Sequence, residues 1–224
     1  MNIKNCNKTL CLGVMCFMSI LFSACFHVGE QKGEPISTWN FETNVASSIE
    51  EVDANTVNGN ITVTGNITSE AAVEMFVSGN GLNFRRQRWS DEEIQQELEK
   101  SFTIDVKVEG GKLLVIAKPI VDRSKFSISF KIAVPKSINS NLRTVNGAIS
   151  INNLSGSQKL STVNGSLNIE DISGSISGST VNGRIKAKNS EGKISLTTVN
   201  GGVNTENLKG DISTSTVIGR VRNR

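Results

Sequence analysis

The sequence predicts an all-β protein built around a parallel β-solenoid, with coils of 18 residues and two strands in each coil. The first observation is a Thr-Val-Asn-Gly motif that recurs every 18 residues without insertion, as in stacked-repeat proteins. The second is the alternation of apolar and polar residues after each motif, as in a strand with one buried face. The third is a second glycine nine residues after the first, which divides each repeat into two similar halves. The motif starts at Thr144, Thr162, Thr180 and Thr198, and a near-copy starts at Thr216.

Each repeat, numbered from its threonine, has a regular internal pattern. Apolar residues favour positions 2, 6, 8, 11 and 15, and glycine occupies positions 4 and 13. The odd step from position 8 to position 11 breaks the alternation, so we expect the chain to turn a corner there. Coils stacked at the parallel strand spacing of about 4.8 Å would bury the apolar columns in a dry core. This core is expected to include the position-2 column, Val145, Val163, Val181, Val199 and Val217.

An antiparallel meander or sandwich is the alternative, because Asn-Gly is a strong hairpin signal. Hairpin arrays tolerate loops of different lengths, whereas the spacing of these repeats does not vary. The second glycine column also keeps its register without a preceding asparagine. The solenoid is therefore the favoured interpretation.

Residues 1–24 have the layout of a signal peptide, because two lysines precede an apolar run that is too short for an ordinary membrane span. The tetrapeptide that ends at Cys25 resembles a bacterial lipobox, with Phe22 standing where leucine is usual. We expect Cys25 to be acylated and to become the first residue of the mature chain. An ordinary signal peptide cut elsewhere, or a retained membrane anchor, is the alternative. Residues 25–38 are predicted to form a polar tether.

The cysteine positions and the net charge argue against a disulfide-stabilised fold and against binding to nucleic acid or to anionic lipid. All four cysteines lie at or before position 25, so the mature chain is expected to fold without disulfides. Removal of Lys4 and Lys8 with the signal peptide takes away no acidic residue and lowers the formal net charge from +3 to +1. A nearly neutral chain does not indicate binding to nucleic acid or to anionic lipid.

The region before the regular repeats is predicted to differ from them. Residues 39–143 should form N-terminal strands and a small β-rich cap over one end of the stack, and residues 144–224 the regular coils. A lone copy of the motif at 56–67 predicts a first coil or a flanking strand. Charged residues on the last strand are a common means of discouraging edge-to-edge pairing. That role is predicted for Arg220, Arg222 and Arg224, and a solvated loop is predicted for Arg85, Arg86 and Arg88.

The predicted cap contains one helix near 91–101. Ser90 and Glu93 have the spacing of a capping box, and Trp89 and Ile94 that of a hydrophobic staple. Strands are predicted at 72–78, in a hairpin over 102–118 that turns at Gly110-Gly111, and at 126–134.

The lipobox, the strand that ends at Val134-Pro135 and the Thr-Val-Asn-Gly coils together resemble the bacterial putative-adhesin family of envelope proteins. The resemblance covers about Val52 to Arg224. It implies β-strand-repeat domains of unknown function, often attached to a membrane through lipid and sometimes found beside envelope-stress regulators. It provides no catalytic residues to transfer, and fold alone does not settle function.

The composition of the mature chain argues against an enzyme. It has a single histidine, His27, in the tether, and neither tyrosine nor free cysteine, so a nucleophile–histidine arrangement is hard to build. A His and Cys metal site is excluded by count, and the aspartate of calcium-binding nonapeptides is missing from the repeats. The acidic residues of the repeats, Glu170, Asp171, Glu191, Glu206 and Asp211, are expected at different repeat positions and not in one column. We predict no catalytic residue, cofactor or metal.

One ordered polar feature remains as a candidate site. Asn146, Asn164, Asn182 and Asn200 should stack beside Thr144, Thr162, Thr180 and Thr198. Stacked asparagines can bond amide to amide and hold coils together, or can offer neutral donors and acceptors to a glycan. The structural role is favoured, because Asn-Gly also suits an unusual turn.

These observations predict an exported, lipid-anchored and non-enzymatic cell-envelope protein with an adhesion or scaffold role. The membrane, through the lipid, and a glycan or an envelope protein are the expected partners. An accessory of envelope-stress sensing is the alternative, and a polysaccharide-binding or polysaccharide-degrading protein is the weaker one.

Overall fold

The computed structural model describes residues 37–43, 49–66, 71–79, 90–121 and 124–224. The predicted signal peptide, Cys25, most of the tether, the staple residue Trp89 and the arginines of 85–88 lie outside the described residues. Within the described ranges, no helix is long and apolar enough to cross a membrane.

The described residues are mostly β, in one open and mixed sheet of fifteen strands accompanied by one short helix. The elements of the first half are β1 (Ser37–Thr43), β2 (Glu51–Thr56), β3 (Ile61–Asn66), β4 (Ala71–Gly79), α1 (Asp91–Ser101), β5 (Phe102–Glu109), β6 (Lys112–Pro119) and β7 (Phe126–Pro135). Those of the second half are β8 (Asn139–Arg143), β9 (Ile149–Thr162), β10 (Leu167–Asn182), β11 (Ile185–Lys188), β12 (Glu191–Asn200), β13 (Val203–Glu206), β14 (Lys209–Ile218) and β15 (Val221–Asn223).

The strands lie in two rows. The first row has the order β1-β4-β7-β3-β9-β10-β11-β13-β15, and the second has the order β5-β6-β2-β8-β9-β10-β12-β14. β9 and β10 belong to both rows because each passes through a corner, where Asn153 and Asp171 have φ of 56° and 54°. The next two repeats turn at Asn189 and Asn207 in the same left-handed conformation. Asparagine and aspartate tolerate this conformation better than other non-glycine residues. The corner therefore falls at position 10, inside the odd step in the sequence pattern.

The repeats pair in parallel with an offset of 18 residues. In the first row Ile149 pairs with Leu167, Leu167 with Ile185, and Ile185 with Val203. The second row keeps the same offset through β9, β10, β12 and β14. The lone early motif lies on the first regular repeat, with a bridge between Asn58 and Asn146. Residues 51–66 therefore pair in parallel with the first regular repeat, from which a long insertion separates them in the chain.

The sheet as a whole is not parallel. β1 pairs antiparallel with β4, β4 with β7, and β5 with β6. The hairpin turns at Gly110 and Gly111, with φ of 55° and 76°, and a connection this short can join only antiparallel strands. β6 and β7, in contrast, pair in parallel with β2 and β3. The insertion therefore does more than cover one end, because it lengthens both rows before closing them with antiparallel strands.

Helix α1 has the predicted start signal. The Ser90 hydroxyl accepts a hydrogen bond from the Glu93 backbone N–H at 3.2 Å, and the Ser90 backbone N–H donates to the Glu93 carboxylate at 2.8 Å. These bonds satisfy donors that a helix start otherwise leaves free. Ile94 and Leu98 are buried in the common core, together with Phe102 at the start of β5.

The core lies between the two rows. A side-chain atom at Gly178 in the second row would lie 3.0 Å from Leu196 and 3.2 Å from Leu167, which belongs to the first row. The inward side chains of the two rows are therefore in contact. Their buried columns include Ile149, Leu167, Ile185 and Val203 at position 6, Ile151, Ile169 and Ala187 at position 8, and Ile176 and Ile194 at position 15.

The position-2 valines do not belong to this core, which corrects the expectation from the sequence. Val145, Val163, Val181 and Val199 are 37–39% exposed, and Val217 is 74% exposed. The threonine before each valine points inward and is buried in the first four repeats, so the valine that follows it faces outward at the bend. Period-2 alternation predicted that neighbouring side chains point to opposite faces. It did not identify whether the threonine or the valine of the motif faces the core.

Two valines of one repeat test this assignment. Val203→Ala removes two methyl groups from a fully buried site, and at about 0.8 kcal/mol per methyl group it should cost about 2 kcal/mol of unfolding free energy. Val199→Ala, four residues away at the exposed bend, should change it by less than about 0.5 kcal/mol. Urea denaturation of both variants measures the difference. Equal losses would contradict the assignment.

Candidate functional site

The repeated motif forms one edge of the stack, which we call the motif edge. It comprises positions 1 to 4 of each coil, where the chain passes from the second row to the first. Among the described residues, six copies of the motif contribute to it, because the early copy at 56–59 lies directly before the regular ones. The threonines lie inside this edge, and the valines and asparagines lie outside.

The threonines connect each coil to the one before it. The Thr162 hydroxyl donates to the Gly147 carbonyl at 3.0 Å, and Thr180 donates to Gly165 at 2.9 Å. The same bond recurs for Thr144, Thr198 and Thr216, to Gly59, Gly183 and Gly201, at 2.9–3.0 Å. The hydroxyls of the four predicted site threonines are therefore satisfied, and their side chains are at most 4% exposed. Their hydrogen bonds connect neighbouring coils beneath the exposed surface.

The glycines of the motif allow this close approach. A Cβ atom on Gly165 would lie 1.8 Å from the Gly147 carbonyl oxygen, and one on Gly183 would lie 1.8 Å from that of Gly165. These distances are far below a van der Waals contact, so no side chain fits at these positions. Glycine is required here by the distance between coils, not by a left-handed backbone.

The asparagines form a continuous ladder on the outside. The Asn164 amide donates to the Asn146 side-chain oxygen at 2.8 Å, and Asn182 and Asn200 repeat the bond at the same distance. The ladder starts one coil earlier than predicted, since Asn146 donates to Asn58 at 2.7 Å. Asn58 was missed, although the early motif copy provided the signal for it.

The ladder leaves binding capacity unused. Each internal asparagine uses one N–H and one oxygen lone pair along the ladder, and a primary amide carries two of each. The side chains of the four predicted residues are exposed. The position-2 valines stand beside them, so the motif edge presents neighbouring amide and apolar columns to solvent. This surface can offer hydrogen bonds and a small apolar contact, but it contains no acid or base.

The outer side of the second row is rich in hydroxyl groups. Its outward side chains come from alternate residues of β9, β10, β12 and β14, which pair in register. Most of these side chains are short and uncharged. They include Ser157, Ser161, Ser175, Ser177, Ser179, Ser195, Thr197, Ser213 and Ser215.

A groove of about 680 Å³ follows the opposite edge, along the position-10 corners. Asn153 donates to the Gly65 carbonyl at 2.9 Å, and Asn207 donates to Asn189 at 3.2 Å. Asp171, Glu191 and Lys209 also line this groove. Among the described residues, no group of three or more His, Cys, Asp or Glu side chains could hold a metal ion.

One expectation about the acidic residues was wrong. Glu170 and Glu206 share position 9, and they alternate with Lys188 and Arg224 on the outer side of the first row. The Lys188 ammonium lies 2.9 Å from the Glu206 carboxylate. This hydrogen bond, followed by the charge of the partner, raises the pKa of Lys188 and lowers that of Glu206. The column is an alternating charge ladder, not a pair of acids suited to catalysis.

Comparisons with known proteins give structural neighbours only. No protein-family model matches the sequence, and no characterised protein matches it. A crystal structure titled a putative cell adhesion protein from Clostridium sporogenes is 9% identical, with a TM-score of 0.34, and the match covers 84% of this chain and 99% of that one. A putative adhesin from Bacteroides fragilis is 13% identical, with a TM-score of 0.35 and coverage of 84% and 97%. A putative adhesin from Parabacteroides merdae is 10% identical, with a TM-score of 0.28 and coverage of 84% and 95%.

All three neighbours are named as putative adhesins or cell adhesion proteins, the family that the sequence was found to resemble. With TM-scores this low, the likeness by itself carries no argument about function.

The close approach at the motif glycines is testable with one methyl group. Gly165→Ala should lower the unfolding free energy by about 1–3 kcal/mol or prevent folding, because its Cβ overlaps the Gly147 carbonyl. Gly202→Ala is the matched control in the next coil but one, where the nearest atom would lie 3.2 Å away. It should cost less than about 1 kcal/mol. Equal melting temperatures for the two variants would contradict the steric argument.

The asparagine ladder predicts that the loss of unfolding free energy grows with the number of ladder bonds that a substitution removes. Asn164→Ala breaks two ladder bonds and Asn200→Ala breaks one. At about 0.5 kcal/mol per exposed bond, the losses should be about 1 and 0.5 kcal/mol. Chemical denaturation of both variants measures the ratio. Unchanged stability in both, together with lost binding to a glycan, would assign the ladder to a ligand instead.

Proposed function

We propose that this chain is a lipid-anchored, non-enzymatic protein of the cell envelope, with an adhesion or scaffold role. In this proposal its repeats form a β-solenoid with one 18-residue coil per repeat, which displays a rigid polar surface. The observation that carries the proposal is the unbroken 18-residue register, which places equivalent outward positions, most of them polar, one above another on successive coils.

Rigidity is supported by the direction of the polar bonds. The bonds between threonine and glycine, and those between asparagines, all join one coil to the next. They run beside the backbone ladders of both rows, so a bend of the stack would have to break several kinds of bond together. A stiff display element pays little ordering entropy when it binds a partner.

A binding role is supported by the composition of the outer surface. Serine, threonine and asparagine supply donors and acceptors on short side chains, which lose less rotamer freedom on binding than long ones do. A regular array of such groups suits a polymeric partner with regularly repeating polar groups. A glycan is a partner of this kind, and an envelope protein with repeated polar side chains is the alternative.

The position of β1 suits an N-terminal anchor. Among the described strands, β1 is the first of the nine strands in one row and β15 is the last. Eight strand spacings of about 4.8 Å separate them by about 38 Å. An anchor at Cys25 would then lie nearer the β1 end, and the last coils would be free to meet a partner at a distance.

Lipidation is tested by metabolic labelling with a fatty-acid analogue. Wild-type chain should be labelled, and Cys25→Ala should lose the label, because its thiol is the proposed acylation site. Cys16→Ala, within the proposed signal peptide, is the matched control and should keep the label. Persistent labelling of Cys25→Ala would contradict the proposed anchor.

The adhesion role is tested on cells that express the full chain. Such cells should bind purified cell envelopes more strongly than cells that express Cys25→Ala at the same level. Equal binding by the two strains would contradict the proposal.

A further inference from the structure

The last coils carry a cluster of cations that the sequence did not reveal. Lys186 of β11 and Arg222 of β15 occupy position 7 of their coils, two coils apart, with Asn204 between them. Arg184 and Arg220 occupy position 5 of the same two coils. We call these four exposed residues the basic patch.

The geometry of the basic patch is fixed by the sheet. Two coil spacings separate Lys186 from Arg222 by about 9.6 Å at the backbone, and positions 5 and 7 of one repeat are about 6.6 Å apart in extended chain. The coil between them has the uncharged residues Gly202 and Asn204 at these positions. A shallow depression of about 240 Å³ lies between position 7, at Lys186, Asn204 and Arg222, and the charge ladder at Lys188, Glu206 and Arg224. Arg184 and Arg220 do not line it, so the depression adjoins the basic patch on one side only.

Within the part of the chain that the structure describes, no acidic side chain pairs with the basic patch. The neighbouring Lys188 is bound to Glu206 at 2.9 Å, so this acid is already engaged. Among the described residues, none of the four patch side chains forms an ion pair. Four uncompensated cations on one small face create a local positive potential, even on a chain whose net charge is small.

Protection of the sheet edge does not account for the whole patch. The predicted role of Arg220 and Arg222 was to discourage pairing at the last strand. Arg184 and Lys186, however, belong to a coil that is paired on both sides, with β10 and with β13. Elsewhere on this row the outward residues are neutral or alternate in charge, as at Thr62, Asn168 and Glu170. The cations are concentrated at this one place.

We propose that the basic patch binds a polyanionic glycan through its carboxylate, phosphate or sulfate groups. The inference rests on the proposed envelope function and names its ligand class. Arginine forks bind such groups with two parallel hydrogen bonds, and lysine adds a point charge. The Asn204 amide, between the cations, provides a donor and an acceptor for sugar hydroxyls.

Two other polyanions fit the patch less well. Proteins that bind single-stranded nucleic acid stack bases on aromatic side chains, and residues 144–224 contain no aromatic residue. An anionic membrane would have to meet the coils farthest from β1, about 38 Å along the row from the end where the proposed anchor enters. A glycan that extends from the envelope can reach this end.

The test measures binding of the full-length chain, in neutral detergent, to polygalacturonate and to dextran sulfate. Wild-type chain should bind both, more weakly as NaCl rises, and should not bind uncharged dextran. The variant Arg184→Ser/Lys186→Ser should bind at least tenfold more weakly. The variant Lys193→Ser/Lys209→Ser has the same net charge, and its changes lie on exposed sites of the second row in neighbouring coils. It should bind within twofold of wild type.

Several results would overturn the inference. One is an equal loss of glycan affinity in the two variants, which would show that binding depends on net charge and not on the basic patch. Others are equal binding to uncharged dextran, or tighter binding to an oligonucleotide, to an acidic protein or to phosphatidylglycerol vesicles than to either glycan. If the first variant unfolds, Arg220→Ser/Arg222→Ser in the last repeat must show the same tenfold loss. If adhesion depends on Cys25 but the chain does not bind polyanionic glycans, this inference is contradicted and the proposed function is not.

Discussion

The hydrogen bond from each motif threonine to the glycine carbonyl of the preceding coil is the interaction on which the remaining structure depends. It forms only if successive coils are in register, and it requires a position without a side chain directly above that carbonyl. One threonine and one glycine per coil therefore fix both the register and the distance between coils. Every outward position then recurs at a spacing set by the backbone, which produces an extended surface with a regular spacing.

Local patterns in the sequence predicted most of the secondary-structure elements. They did not predict which distant strands pair with each other. The fixed period, the corner inside the odd step, the capping box at Ser90 and the turn at Gly110-Gly111 are properties of short segments. The stacking of residues 51–66 on the first regular repeat joins positions 88 residues apart. The motif copy at 56–67 predicted a first coil or a flanking strand, but it did not identify the repeat on which this segment lies. The parallel placement of β6 and β7 on that coil is nonlocal in the same way.

The candidate site also has features that a local pattern predicts and features that depend on nonlocal pairing. The asparagine ladder could be predicted because one residue type recurs at one position. The inward threonine and the outward valine could not be assigned, because alternation does not identify the inner residue at a bend. The basic patch was missed because its charges, at Arg184, Lys186, Arg220 and Arg222, come from alternate coils. They become one surface only when residues 36 apart in the sequence are placed about 9.6 Å apart.

The parallel stacking of repeats is tested most directly by one distance in solution. Lys159 and Ser213 occupy the same exposed position of coils three apart, joined in register through Ser177 and Ser195. Nitroxide labels on cysteines at these two sites allow the distance to be measured by dipolar electron paramagnetic resonance. Parallel coils predict backbone sites about 14 Å apart, three strand spacings. An antiparallel meander with two strands per repeat would place them six spacings apart, about 29 Å, and that result would contradict the account.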